Sequence, residues 1–331
     1  MRRATALLLS GALVLASPSP AAAYLKFGLR LDSSAVDIRW GEQPIRYFIT
    51  ERDGPGASAG QLRDAVARAF ATWQAVPSAS VRAEFLGFTT APPELSDGRT
   101  TFGFLDRPDL ERVLGATSFL LDGSTGRILE VDVYFNTRFD WSVAPNGETG
   151  RIDLESVALH EIGHLLGLGH SAIGETELGA TGGRRVLGSG AVMFPIALGP
   201  GTIADRVLQA DDVAGISDLY GTTAHLSATG SITGRVTLDG QGVFGAHVVA
   251  FSPRSGALVG GFTLNAAGEF AIAGLEPGPY IVRVEPLDDA DTATFLPGGV
   301  DLSFGASYFP RTVAAPRGGA ATPIEIRVRR R

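Results

Sequence analysis

Between His160 and Ser171 the chain reads HEIGHLLGLGHS, which gathers three of its five histidines and one glutamate into a single short segment. His160 and His164 are one turn apart, so on a helix both imidazoles project from the same face and can reach one tetrahedral ion. Leu154, Val157, Ala158, Leu159, Ile162, Leu165 and Leu166 surround them, with Gly163 as the one poor helix former, and this predicts a largely buried helix. Gly167 can adopt a left-handed conformation, end that helix and turn the chain so that His170 brings a third nitrogen. Three neutral ligands leave a zinc ion its full charge and an open position, where the pKa of water falls towards ~7 and a carbonyl is polarised. Glu161, acceptor-only when ionised, suits the base that takes the water proton. The competing readings are histidines hydrogen-bonded in a core and a closed structural metal, and a bare H-E-x-x-H does not separate them. The extension to Gly167 and His170 does, together with Met193 in AVMFP, one of only two methionines in the chain.

With these residues the chain resembles the matrixins, the matrix-metalloproteinase-like branch of the metzincin zinc peptidases. Ser171 directly after the third histidine is the matrixin choice. VMFP (192–195) is similar to the family's Met-turn, and LQADDVAGISDLYG (208–221) to its last helix. WGEQPIRYFI from Trp40 and the helix ending AFATWQAV at Val76 resemble the start of a matrixin catalytic domain, so the likeness covers about 40–221. It implies one catalytic zinc held by His160, His164 and His170, a base at Glu161, and Met193 as an apolar floor beneath the metal. It also implies an edge strand over 114–119 that pairs with an extended substrate. Leu114 and Gly115 then bind substrate, and Phe194, Pro195 and Ile196 wall a pocket for an apolar side chain.

The departures from the family pattern are specific. No histidine precedes His160, and Ala116 and Tyr134 stand where ligands of a second, structural zinc would fall, so that site is expected to be absent. Asn136 replaces a family aspartate. Asp122, Asp132, Asn136 and Asp140 could still offer oxygens to calcium, or could be solvated turn residues. The glycine-rich stretch between His170 and Met193, with Arg184 and Arg185, is longer than expected for a matrixin and reads as a mobile loop beside the substrate cleft.

The elements that position this chemistry follow from periodicity. Leu62, Val66, Ala69, Phe70 and Trp73 predict an amphipathic helix within 60–76. Short runs between Arg82 and Asn136, bounded by glycine and aspartate, predict a twisted sheet. The fold class is therefore an α+β metzincin catalytic domain, a twisted mixed sheet plus helices, followed by an all-β sandwich. Residues 1–23 read as a secretory signal peptide, 24–221 as the catalytic domain, 222–230 as a polar linker, and 231–331 as a domain that resembles the carboxypeptidase regulatory-like, transthyretin-like β-sandwich. In that last domain Ile272, Tyr280, Val282 and Val284 fit half-buried strands, Glu276-Pro277-Gly278 a turn, and Ile324, Ile326 and Val328 a closing strand. His225 and His247, both in this C-terminal half of the chain, read as ordinary surface or core histidines.

With no cysteine, core burial alone must stabilise the fold, and a thiolate switch on the zinc is chemically impossible. A net charge of −7 gives no basis for nucleic-acid binding. No segment is long and apolar enough to span a membrane. The expectation is a secreted zinc metalloendopeptidase acting on protein or peptide substrates, with oligomeric state undetermined. The alternative is an extracellular binding or adhesion protein that uses a metzincin scaffold.

Overall fold

Ser58 starts the first helix, α1 (Ala59–Gln74), through a capping box in which its hydroxyl accepts the Gln61 N–H and the Gln61 side chain accepts its own. The computed structural model describes residues 25–31, 34–179, 184–296 and 298–331, so the signal peptide expected over 1–23 lies outside the described residues. On α1 the expected face, Leu62, Val66, Ala69, Phe70 and Trp73, is buried. Phe70 meets the sheet there, with ring centroids 4.9 Å from Tyr47 and 5.9 Å from Phe102. Each such buried aromatic contributes about 1.5–3 kcal/mol over an exposed one.

That sheet is mixed. Strands Arg39–Trp40, Arg127–Asn136, Thr100–Leu105, Ile45–Thr50 and Ala83–Thr89 lie side by side in this order and run parallel. Gly115–Leu121 is antiparallel to Arg127–Asn136 and, among the described residues, pairs with no other strand. It is therefore an edge, and it begins one residue after the expected start at Leu114. The second long helix, α2 (Leu154–Leu165), is capped by Asp153, whose carboxylate accepts the Ser156 N–H (2.9 Å) and is held by the Arg206 guanidinium at 2.5 and 2.8 Å.

The chain forms two compact units. One comprises Ile38–Gly167 and Ala197–Val207, the elements just described. The other comprises Leu168–Ile196, Leu208–Arg331 and the described residues of 14–37. In this second unit Gly230–Leu238 pairs with Gln241–Gly242, Glu269–Leu275 and, in parallel, Ile324–Val328. A second sheet joins Leu258–Phe262, His247–Phe251, Gly278–Glu285, Ser307–Tyr308 and Val313–Ala315. The expected turn at Glu276–Gly278 is present, but it carries the chain from one sheet to the other: Glu269–Leu275 and Gly278–Glu285 belong to different sheets. Helix α3 (Ala210–Tyr220) also belongs to this unit.

Two stretches differ from their reading in the sequence. The polar stretch 222–230 holds a short helix, α4 (Thr223–Ala228), because the Thr222 hydroxyl accepts the His225 N–H and caps it. The stretch read as a mobile loop between His170 and Met193 contains an antiparallel hairpin, Gly174–Leu178 with Arg184–Ser189. Thr176 fastens that hairpin, its N–H to Asp289 Oδ1 (2.9 Å) and its hydroxyl to the Asp289 carbonyl (2.6 Å).

Asp132 sits buried on the Arg127–Asn136 strand. Its Oδ1 accepts the Thr101 N–H at 2.8 Å, and its Oδ2 has no hydrogen-bond partner. Burial, aided by the charges of Glu130, Asp97 and Glu94 and opposed by the Thr101 N–H, pushes its carboxyl from 3.8 up to about 8. An acid whose folded pKa is raised contributes its full stability below the unfolded value and loses it as pH rises through the folded one. Thermal midpoints across pH 4–9 should thus fall less for Asp132→Asn than for the wild type, the gap widening towards pH 9; parallel curves would show that Asp132 ionises freely.

Candidate metal centre

Two indole N–H groups and a glycine hold α2. Trp73 Nε1 donates to the Leu159 carbonyl and Trp40 Nε1 to the Leu165 carbonyl, both at 2.9 Å; the second is one of the end carbonyls that a helix leaves without a partner. Gly167 has φ of 101°, as the change of direction after the helix requires, and its N–H donates to the His164 carbonyl at 2.7 Å.

His160 and His164 face each other across one turn, ring centroids 4.7 Å apart with planes at 90°. Within the continuous segment 160–170, His160, His164 and His170 each offer one nitrogen, and these nitrogens lie within 4.8 Å of one another. Among the described residues this is the one group of three or more histidines and carboxylates that could hold a metal ion. A tetrahedral zinc with bonds of ~2.0–2.1 Å needs ligand atoms about 3.4 Å apart, so the donor chemistry and spacing fit the ion with minor side-chain adjustment. Burial holds the His170 imidazole below its usual value, opposed by its hydrogen bond to the Thr294 carbonyl, and the lowered value favours the neutral form that a metal ligand needs.

Glu161, next to His160 in sequence, is buried. Burial pushes its carboxyl up to about 7, and the Thr117 hydroxyl, donating to Oε2 at 2.6 Å, works against that shift. Gly115 on the same edge strand abuts it: a Cβ there would lie 3.2 Å from Glu161 Oε1 and 3.0 Å from the Tyr134 carbonyl. Thr117 escaped the reading of the sequence, because a threonine in a strand is unremarkable until its partner is known.

In the second unit Met193 is buried, and its carbonyl accepts the Ser171 N–H at 2.8 Å. Its own N–H and that of Val192 donate to the buried Asp212 carboxylate at 3.1 and 2.9 Å, which also accepts the Gln209 N–H at 2.8 Å. Asp211 accepts the Ser171 hydroxyl (2.6 Å) and the Gly260 N–H (2.8 Å). Both aspartates lay in the quoted LQADDVAG stretch, and the doubled acid at a helix start was the available signal. Of the proposed pocket wall, Phe194 is buried behind Gly174, where a Cβ would meet its ring at 2.6 Å, and Ile196 packs on a cluster including Leu25, Ala172 and Phe295; Pro195 is partly exposed.

A family model described as matrixin (Peptidase_M10) matches residues 39–221, more than half of the chain. The chain belongs to the matrixin family. It is 33% identical to Metalloendoproteinase 1-MMP of Arabidopsis thaliana over 190 residues, 57% of this chain and 46% of that protein. It is 32% identical to Metalloendoproteinase 1 of Glycine max over 161 residues, 48% and 46% of the two chains, and 24% identical to Karilysin of Tannerella forsythia over 226 residues, 65% and 40%. The chain spans about half the length of the relatives it matches.

The departures of this matrixin can now be located. Ala116 and Tyr134 are direct cross-strand partners, and the Arg107 guanidinium lies 5.2 Å from the Tyr134 ring centroid. Asn136 donates to the carbonyls of Arg107, Leu110 and Val113 and accepts the Arg107 and Arg138 N–H groups, a set that an aspartate could not reproduce. Asp122 is engaged by the Ser124 N–H and hydroxyl. Asp122, Asp132 and Asp140, offered with Asn136 as calcium ligands, are not brought together as a metal-holding group.

Because Asp212 satisfies three backbone donors with one buried carboxylate, Asp212→Ala should lower stability on the order of 3 kcal/mol. Asp212→Asn, which keeps one acceptor oxygen, should lose less. Chemical denaturation ranks the three proteins; equal stability of Asp212→Ala would remove Asp212 as the anchor of the Met193 turn.

Proposed function

We propose that the protein is a secreted zinc metalloendopeptidase that hydrolyses peptide bonds in extracellular proteins. The observation that carries this reading is the convergence of the His160, His164 and His170 nitrogens within 4.8 Å in a chain of the matrixin family. When bound, zinc supplies a Lewis acid that polarises the scissile carbonyl and acidifies water. His160, His164 and His170 hold it as neutral ligands. Glu161 takes a proton from the attacking water and returns it to the leaving amine, a two-way transfer suited to a carboxyl that burial raises towards neutrality. Thr117 fixes Glu161 Oε2, and Gly115, having no side chain, leaves Oε1 unobstructed.

The edge strand Gly115–Leu121 is the element on which an extended substrate would pair, with Leu114 and Gly115 at the reacting end. Main-chain pairing of that kind accepts many sequences, in keeping with an endopeptidase. Met193 would floor the metal, as the family resemblance implies. Export would use the signal peptide of residues 1–23; among the described residues no helix is long and apolar enough to cross a membrane. The region from 231 onward would be a transthyretin-like β-sandwich of the carboxypeptidase regulatory-like kind. Its two sheets, linked at Glu276–Gly278 and lined by buried Ile232, Val236, Phe270, Val248, Val282 and Val284, support that assignment.

Glu161→Ala should reduce peptide hydrolysis by about 10²–10⁴-fold while the protein keeps its zinc. Turnover measured at matched zinc content tests this, and an unimpaired variant would sink the assigned base. An adhesion protein on the same scaffold would be indifferent to the substitution because it has no turnover to lose. Elemental analysis after dialysis should return one tightly held zinc per chain; two that resist removal would reveal a second site.

A further inference from the structure

Past the stretch matched by the matrixin family, a short turn returns to the segment that follows α2. The Thr294 carbonyl oxygen lies 2.6 Å from His170 Nδ1. Phe295 meets the same imidazole, ring centroids 6.5 Å apart and planes at 84°. A carbonyl oxygen can only accept, so in this bond Nδ1 carries the proton, and a neutral imidazole then keeps its lone pair on Nε2. We infer that the Asp291–Phe295 turn is a positioning element of the metal centre, holding His170 in the tautomer that presents Nε2 to the ion.

The turn is built to keep that carbonyl in place. The Asp291 side chain accepts the Ala293 N–H at 3.1 Å, and the Asp291 carbonyl accepts both the Thr294 N–H (2.9 Å) and its hydroxyl (2.6 Å). Phe295 and Leu296 are buried in an apolar cluster with Leu25, Phe262, Leu287 and Ala172, so the turn and the residue two past His170 share one core. Ser171, between them, is tied through Asp211 to the Gly260 N–H. Three successive residues, 170 to 172, are thus each fixed by the β-rich C-terminal region. Such outer partners of a ligating histidine set its ring orientation and basicity, and losing one typically costs 10–100-fold in metal affinity. The C-terminal region therefore acts on the metal site itself and is more than a module for reaching substrates.

The inference rests on His170 being a metal ligand, and its test reads zinc affinity and tautomer, not turnover. In the zinc-free full chain, long-range ¹H–¹⁵N spectra of His170 should show a protonated Nδ1; a protonated Nε2 there would overturn the proposal without any variant. Asp291→Ala combined with Thr294→Val, which loosens the turn at a partly exposed site, should weaken zinc binding about 10–100-fold in competition with a chelating dye and give mixed His170 tautomers. Thr294→Ser, which retains the hydroxyl, should restore both readouts when it replaces Thr294→Val in the wild-type Asp291 background. Zinc affinity within twofold of wild type in the double variant would overturn the proposal, as would unchanged affinity in His170→Ala. A chain with tight zinc and the expected tautomer that cleaves no peptide would leave this inference standing and remove the peptidase reading instead.

Discussion

Everything at the metal centre depends on the rigidity of one short helix. Two imidazoles one turn apart can share an ion only while α2 keeps its pitch, and a helix of this length has little stability of its own. The surrounding protein supplies it. Asp153 and Arg206 satisfy and neutralise the first turn, and the indoles of Trp73 and Trp40 occupy spare lone pairs on the carbonyls of Leu159 and Leu165. Both tryptophans lie far away in sequence, one on α1 and one at the start of the sheet, so helix and sheet are locked together through backbone acceptors. Gly167, with its positive φ, then turns the chain out of the helix three residues before His170.

The neighbouring acids Asp211 and Asp212 divide the task of holding the segment beyond that glycine. At the start of α3 the helix dipole favours a carboxylate, while burial works against it and pushes Asp211 up to about 7. Asp212 gathers the N–H groups of Val192, Met193 and Gln209, and Asp211 joins Ser171 to Gly260. Burying two adjacent carboxylates is costly, and hydrogen bonds from several fixed donors are what offset it. A core made only of apolar side chains could not fix the backbone of the Met193 turn with such directionality.

The sequence was most legible where side chains repeat with a helical period or carry unusual chemistry. Leu62 through Trp73 marked α1, the histidine motif marked α2 and its end, and Gly115 at the start of the edge strand was found within one residue. It was least legible where the partner is main chain. The Gly174–Ser189 hairpin is dilute in apolar residues and is held through the Asp289 backbone and carboxylate, so it read as loop. Glu276-Pro277-Gly278 announced a turn but not that the strands it joins lie in separate sheets, since alternation of buried residues is the same in either case. Thr294 could not have been singled out at all, because its working atom is a carbonyl that every residue possesses.

The parallel pairing of Ile324–Val328 with Gly230–Leu238 bears on the order of events during biosynthesis. Arg235 and Glu325, neighbours across that ladder, are 90 positions apart in the chain. The entropy of closing so long a loop must be overcome before the ladder gains anything, which makes it a late and slow event. A nascent chain that has already made its histidine motif must therefore wait for its last strand to leave the ribosome before this sheet can be completed, and until then its unpaired strand edges are open to chaperones and to other chains.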